Sequence, residues 1–447
     1  MNKVLRKSRY TFLLDAGDRL LVYNSAKNNF WKVNSNVFEF IKEFNGALES
    51  LNDEENEIAS LLHKLSIITT EEEDLNIAES FRLKFLTSSF SKENLDLTIA
   101  PTLSCNLRCP YCFEANKPTA IMDQKTADQT ISFIKKHEFA RNVRITWFGG
   151  EPLICGKQIE HILNGLLKLD NPKLSHQEIV TNGALLKGDN LKLFETFDFK
   201  AIQITFDGTK PNHDKKRVTS NNTGTFDVIL CNLDNFISRF PSVSVKIRVN
   251  IDKTNGDDFP ELYRFLTNRY KEKNNLFIYP GILKACETTS KNAPFLCNAE
   301  LSALYNKYMK HGLLVSYPQF GYLGCGANRI SCYVIGPKGE LYKCWQDVGM
   351  ENKVIGNIFD DDFSDYSLLN QYMLHGSRMN EQTCLECPMM PICDSNCAND
   401  RLDNLYNHGN RELCSVYKEN DYQGLKEKLI SFYKLLEQKQ SSEPLQC

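Results

Sequence analysis

Three cysteines in one short loop constrain this chain more than any other feature. The stretch Ser104-Cys105-Asn106-Leu107-Arg108-Cys109-Pro110-Tyr111-Cys112-Phe113-Glu114 sets them in the spacing Cys, three residues, Cys, two residues, Cys. Soft thiolates so close in sequence can converge on one metal centre. An apolar run, Leu95 to Pro101, precedes the loop and reads as a buried strand, which puts the thiolates at the carboxyl end of a sheet or barrel. A four-iron four-sulfur cluster is usually held by four cysteines, so three without a nearby fourth leave one iron open to another ligand. The alternative is a structural zinc loop, although zinc pairs of this form normally meet a second pair or two histidines.

At 447 residues the chain is expected to form about three domains, each able to bury a core. A net charge of -3 supplies no basic field for nucleic acid. The basic start, Met1 to Arg9, is followed by an apolar run too short for a signal peptide, and no run reaches the roughly 18 residues of a membrane span. A cytoplasmic protein is expected. In that compartment 16 cysteines point to metal ligands rather than disulfides. Three lie in the first loop and eight between Cys325 and Cys414. Core packing or chance accounts for Cys155, Cys231, Cys286, Cys297 and Cys447.

Residues 1–95 open with three short aromatic and aliphatic runs, Tyr10 to Leu14, Arg19 to Tyr23 and Phe30 to Val33, separated by turn residues. These predict a small antiparallel sheet. Val37, Phe38, Phe40, Ile41 and Phe44, then Ile58, Leu61, Leu62 and Leu65, repeat at helical spacing, so the segment is a winged-helix-like α+β unit. In residues 96–290 six strand-like runs alternate with amphipathic helices: Leu95 to Ala100, Val143 to Phe148, Gln177 to Thr181, Ile202 to Phe206, Val243 to Ile251 and Leu276 to Pro280. Such alternation predicts a parallel sheet with ligands at the carboxyl ends of its strands.

The cysteine loop, with Tyr111 just before its last cysteine, resembles the cluster motif of the radical S-adenosylmethionine enzymes. The resemblance implies an α/β fold, a partial (β/α)6 TIM-like barrel, in which the open iron is chelated by the methionine amine and carboxylate. Gly149-Gly150-Glu151-Pro152, about 37 residues after the loop, is similar to the family's glycine-rich motif, with Glu151 implied as acceptor for the methionine amine. Asn182 and Asp207, at the ends of the third and fourth strands, are implied to lie near the ribose and substrate. Arg217, in His213-Asp214-Lys215-Lys216-Arg217, is implied to pair with the methionine carboxylate, for which a guanidinium fork is well shaped. Tyr111, Gly149 and Gly150 complete the cofactor-binding set.

The stretch Val22 to Asn34 resembles the peptide-recognition domain of enzymes that modify ribosomally made peptides, in which a leader peptide adds a strand to a sheet edge. A structural cap on the barrel is the other reading. Residues 291–447 carry Cys325, Cys332, Cys344, Cys384, Cys387, Cys393, Cys397 and Cys414, then an amphipathic stretch, Tyr422 to Leu436. This pattern resembles the twin-cluster SPASM extension of peptide-modifying members. By that likeness Cys325, Cys332, Cys344 and Cys397 form one ligand set and Cys384, Cys387, Cys393 and Cys414 a second; two structural zinc sites are the alternative.

The family likeness implies three 4Fe-4S clusters, S-adenosylmethionine, a precursor peptide with a leader segment, and an electron donor such as flavodoxin or ferredoxin. The expected reaction is hydrogen abstraction from the peptide by a 5'-deoxyadenosyl radical, giving a thioether, a carbon-carbon crosslink or another oxidised residue. Two alternatives stand beside it. One is an anaerobic sulfatase maturase, whose likeness calls for an acidic residue where Trp345 follows Cys344. The other is a non-catalytic peptide chaperone or electron carrier.

Overall fold

The computed structural model describes residues 4–44, 46, 51–114, 118–284, 294–313 and 316–442, and the chain forms two compact units. Cys286 and Cys447 lie outside the described residues. One unit joins Met1–Phe90, Asn298–Cys325 and Leu374–Cys447; the other joins Ser91–Cys297 and Gly326–Met373. The three consecutive segments expected from sequence are therefore redistributed. Most of 291–447 folds with the N-terminal segment, and residues 326–373 join the barrel sheet.

In the first unit, β1 (Arg6–Lys7) pairs with β5 (Ile68–Thr69), while β2 (Thr11–Asp15), β3 (Leu20–Asn24) and β4 (Asn29–Val33) form an antiparallel meander. The turn from β2 to β3 uses Gly17 at φ +89°, with its N–H donating to Asp15 Oδ1 at 2.8 Å. Helices Asp53–Lys64 and Glu71–Ser89 each begin with a reciprocal capping box, Asn52 with Glu55 and Thr70 with Glu73. Phe12, Leu14, Leu21 and Tyr23 share one core with Met389, Ile392, Tyr417, Leu425 and Leu429. That shared core is why the two chain ends cannot be separate domains. Sequence distance hid it, because each apolar stripe alone is short.

In the second unit all six expected strands are present: β6 (Asn94–Ile99), β7 (Asn142–Trp147), β8 (Lys173–Thr181), β9 (Ala201–Phe206), β10 (Ser244–Ile251) and β11 (Leu276–Ile282). They pair in parallel in sequence order. Beyond β6 the sheet continues through β12 (Cys332–Ile335), parallel to β6, then β13 (Glu340–Tyr342) and β14 (Gly356–Asn357), both antiparallel. The result is an open, mostly parallel nine-stranded sheet, as a partial barrel requires.

Strand alternation gives the sheet two different faces. Leu95, Leu97, Ile99, Val143, Ile145 and Trp147 are buried on one face, as are Ile202, Ile204, Val245 and Ile247. The other face is polar: Asp96 bridges Arg144 and Arg329, Lys246 donates to Glu178 at 2.6 Å, and Tyr279 donates to Gln203 at 2.5 Å. Among the described residues no helix is long and apolar enough to cross a membrane.

Candidate active site

The carboxyl ends of the parallel strands surround a cavity of about 390 Å³. Cys105, Cys109, Cys112 and Tyr111 line it from the loop after β6, Gly149 and Gly150 from the loop after β7, and Asn182 from the end of β8. Arg217 lines it as well. Four segments distant in sequence thus converge where a parallel sheet places its ligand site.

The two glycines act first on the chain itself. A Cβ on Gly149, at φ +114°, would stand 2.2 Å from the Thr102 carbonyl oxygen; one on Gly150 would stand 2.3 Å from that of Ser104 and 2.6 Å from that of Leu103. The obstruction is the backbone leading into the cysteine loop, which no rotamer change relieves. Gly150→Ala is expected to cost about 1–3 kcal/mol by overpacking and to displace Cys105, lowering iron in the purified protein while leaving circular dichroism native. Full iron retention would show that the loop tolerates the shift.

Glu151 is fully buried and does not line the cavity. Its Oε1 accepts from Leu153 N–H at 3.1 Å and Thr181 Oγ1 at 2.7 Å, and its Oε2 accepts from Asn182 N–H at 2.7 Å. Burial raises its carboxyl above the usual range, and these donors pull it back down. The side chain therefore ties the segment after β7 to the end of β8. It fixes Asn182, whose Nδ2 donates to Asn106 Oδ1 at 2.8 Å and lies 3.7 Å from Cys105 Sγ. Leu107 N–H reaches the same sulfur at 3.4 Å. N–H donors aimed at a sulfur suit a cluster thiolate, whose potential they tune. Burial pushes the Cys105 thiol up to about 12 and the Cys112 thiol up to about 11.

Tyr111 joins the loop to the rest of the site. Its hydroxyl donates to Asp207 Oδ2 at 2.5 Å and accepts from Arg217 Nη1 and Asn250 Nδ2, each at 3.2 Å. Asp207 is fully buried, faces Arg217 at 3.7 Å and lies behind the cavity wall. Arg217 and Asn182 reach the cavity directly; Asp207 and Glu151 act through them.

His213, also fully buried, holds the Asp207 backbone. Thr225 Oγ1 donates to the Arg217 carbonyl at 2.7 Å, so it must accept from His213 Nε2–H at 3.1 Å, which leaves Nδ1 to accept from Asp207 N–H at 3.4 Å. This neutral tautomer fits its surroundings: burial, with Arg217 and Lys210 nearby, lowers the imidazole from 6.5 to about 2. A folded-state value below the unfolded one means that the unfolded chain binds the proton first, so stability falls as pH drops below about 6.5. Between pH about 6.5 and about 4.5 the loss is about 2–3 kcal/mol. Urea titrations should show this slope flattened in His213→Asn; an unchanged slope would place the titration elsewhere.

Several lining residues were missed by sequence reasoning. Gln203 and Thr205 of β9, and Arg248 and Asn250 of β10, point into the cavity. Arg248 Nε donates to Asn250 Oδ1 at 2.9 Å, and Gly281 leaves room for the guanidinium, since a Cβ there would fall 2.3 Å from Nε. The available signal was period-two alternation, with polar residues between buried Ile204, Phe206, Ile247 and Val249 near strand ends. Phe113, Phe148 and Trp345 form an aromatic wall: Phe148 stacks on Trp345 at 5.2 Å and on Phe113 at 6.4 Å.

Of the later cysteines, Cys384, Cys387, Cys393 and Cys414 line one cavity of about 70 Å³ in the first unit. These are the four that sequence likeness groups together. Cys325 and Cys397 belong to the same unit, whereas Cys332 opens β12 and Cys344 follows β13 in the other. Among the described residues no three His, Cys, Asp or Glu side chains form a group able to hold a single metal ion.

An open, mostly parallel sheet thus carries a three-thiol loop, a glycine pair and a buried guanidinium at its carboxyl ends. Residues 99–266 match the family model described as the Radical SAM superfamily. A GTP 3',8-cyclase from Aquifex aeolicus is 30% identical over 316 residues, covering 62% of this chain and 92% of the relative. A cysteine-type anaerobic sulfatase-maturating enzyme from Clostridium novyi is 26% identical, covering 73% and 94%. The fold is similar to that of anSMEcpe with bound AdoMet and a peptide (TM-score 0.58, 19% identity, 78% of this chain and 100% of that one). It is also similar to that of Streptococcus suis SuiB bound to precursor peptide SuiA (TM-score 0.50, 17% identity, 88% and 96%). The chain belongs to the radical SAM superfamily, whose members use a 4Fe-4S cluster and S-adenosylmethionine.

Proposed function

We propose that this enzyme is a maturase of a ribosomally made precursor peptide, oxidising one residue of that peptide to form a crosslink. The observation that carries this reading is β4, which among the described residues pairs only with β3 and so leaves an outer edge on which an extended leader can add a strand. The solved structures of similar fold, one bound to a peptide and one to a precursor peptide, support it.

Cys105, Cys109 and Cys112 would hold the cluster, and Asn182, Thr205 and Arg217 have the polarity to receive the cofactor. When bound, the cluster and S-adenosylmethionine supply a carbon radical that takes a hydrogen atom from the substrate. Tyr111 and Asp207 hold Arg217 in place, and the aromatic wall excludes water from the reacting side. Cys384, Cys387, Cys393 and Cys414 would hold one auxiliary cluster.

The sulfatase-maturing relative favours a second reading, formylglycine formation. On the segment after Cys344, Trp345 and Gln346 line the cavity, while Asp347 is buried and accepts a hydrogen bond from Tyr372. That segment therefore presents no carboxylate to the substrate. Incubating the reconstituted enzyme with the peptide encoded beside its gene and with a sulfatase-type Cys peptide separates the readings by mass spectrometry. A crosslink removes two hydrogens from the first; formylglycine replaces sulfur by oxygen and also removes two hydrogens in the second. Hydrogen-exchange protection at Asn29–Val33 on adding the precursor tests the docking edge.

A further inference from the structure

The cavity lined by Cys384, Cys387, Cys393 and Cys414 is also lined by two guanidinium groups that sequence reasoning did not single out, Arg378 and Arg401. Both are essentially buried, at 1% and 2% exposure. Arg378 is held rigidly by neutral acceptors: Nε donates to Asn396 Oδ1 at 2.6 Å, Nη1 to the Met390 carbonyl at 2.6 Å and Nη2 to the Gly321 carbonyl at 2.9 Å. Gly321 is shaped for this contact, since a Cβ there would lie 2.6 Å from Arg378 Nη2 and 2.6 Å from the Cys393 carbonyl oxygen. Among the described residues no carboxylate lies within ion-pair distance of Arg378. The thiols of Cys384, Cys387 and Cys393 and the Arg401 guanidinium line the same cavity. Arg401 pairs with Glu381 through Nη1, but its buried Nε has no hydrogen-bond partner.

A buried cation without a counterion is costly unless something anionic occupies the space beside it. Four thiolates holding a cubane are such a group, because the assembly is negative in both oxidation states and gains one more negative charge on reduction. Inside the protein that charge is poorly screened. We infer that Arg378, seconded by Arg401, sets the potential of the auxiliary cluster held by Cys384, Cys387, Cys393 and Cys414, favouring its reduced form. Arg378 is a positioning residue for charge and touches no substrate. Glu381 works in the opposite sense, since it neutralises Arg401 and its Oε2 accepts from Cys384 Sγ at 3.4 Å. The inference rests on the proposed second ligand set.

The test is a redox titration, followed by electron paramagnetic resonance, of the iron-loaded full-length chain carrying C105A, C109A and C112A, so that only auxiliary clusters contribute. Arg378→Gln should lower one midpoint by about tenfold in the redox equilibrium, about 59 mV for a one-electron couple. Arg378→Lys, which keeps the charge, should restore it, and Glu381→Gln should move the same midpoint upward. An unchanged midpoint in Arg378→Gln at full iron content would overturn the inference. Should Arg378→Gln lose iron, Glu381→Gln decides alone, because every bond to Arg378 is then intact, and no upward shift overturns the inference. If the chain without its loop cysteines binds no iron, the second ligand set itself is wrong, and the inference falls with it.

Discussion

Replacing Cys105, Cys109 and Cys112 together by Ala is expected to abolish reductive cleavage of S-adenosylmethionine and to remove one cluster's iron, while iron bound elsewhere in the chain is retained. The expectation follows from the cavity, which all three cysteines line together with Arg217 and Asn182. The auxiliary cysteines Cys384, Cys387, Cys393 and Cys414 lie in the other compact unit, which has its own core, so their iron should survive. Cleavage measured as 5'-deoxyadenosine by chromatography, with iron assayed on the same sample, checks both parts. Undiminished cleavage would remove the loop from the chemistry.

Arg217→Met has the largest expected effect on stability. The guanidinium is the charged partner of fully buried Asp207, whose Oδ1 accepts no hydrogen bond, and it also donates to Tyr111. Removing it strands a carboxylate inside the protein, at a cost of about 3–5 kcal/mol. Taking away both charges, in Arg217→Met with Asp207→Asn, should recover most of that loss, because a neutral pair has no stranded charge to solvate. Thermal midpoints of the two variants give the comparison, and equal destabilisation would mean that packing rather than charge dominates. Neither variant should bind S-adenosylmethionine like the parent protein, since Arg217 itself lines the cavity.

The barrel was legible because its signals are local. Each of the six parallel strands is a short apolar run bounded by turns, and each is found within a few residues of its expected place. The cysteine loop and the two glycines were legible for the same reason: spacing within a few residues fixes them. The roles of Glu151 and Asp207 were not, because whether a carboxylate faces a cavity or the chain behind it depends on Thr181, Asn182 and Tyr111, which reach it only after folding. Arg378 and Arg401 gave no signal at all, as isolated arginines in sequence look like surface residues. The two-unit division was hidden by length, since Leu14 and Leu429 share a core across nearly the whole chain.

In the proposed enzyme the thiols of Cys105, Cys109 and Cys112 would hold a cluster with one iron open to S-adenosylmethionine. The most direct test is electron paramagnetic resonance of the anaerobically reduced, iron-loaded protein before and after adding that cofactor. A change in the spectrum of one cluster, absent when the three cysteines are replaced by Ala, is the predicted result. A spectrum indifferent to the cofactor, or zinc in place of iron in the purified protein, would contradict it.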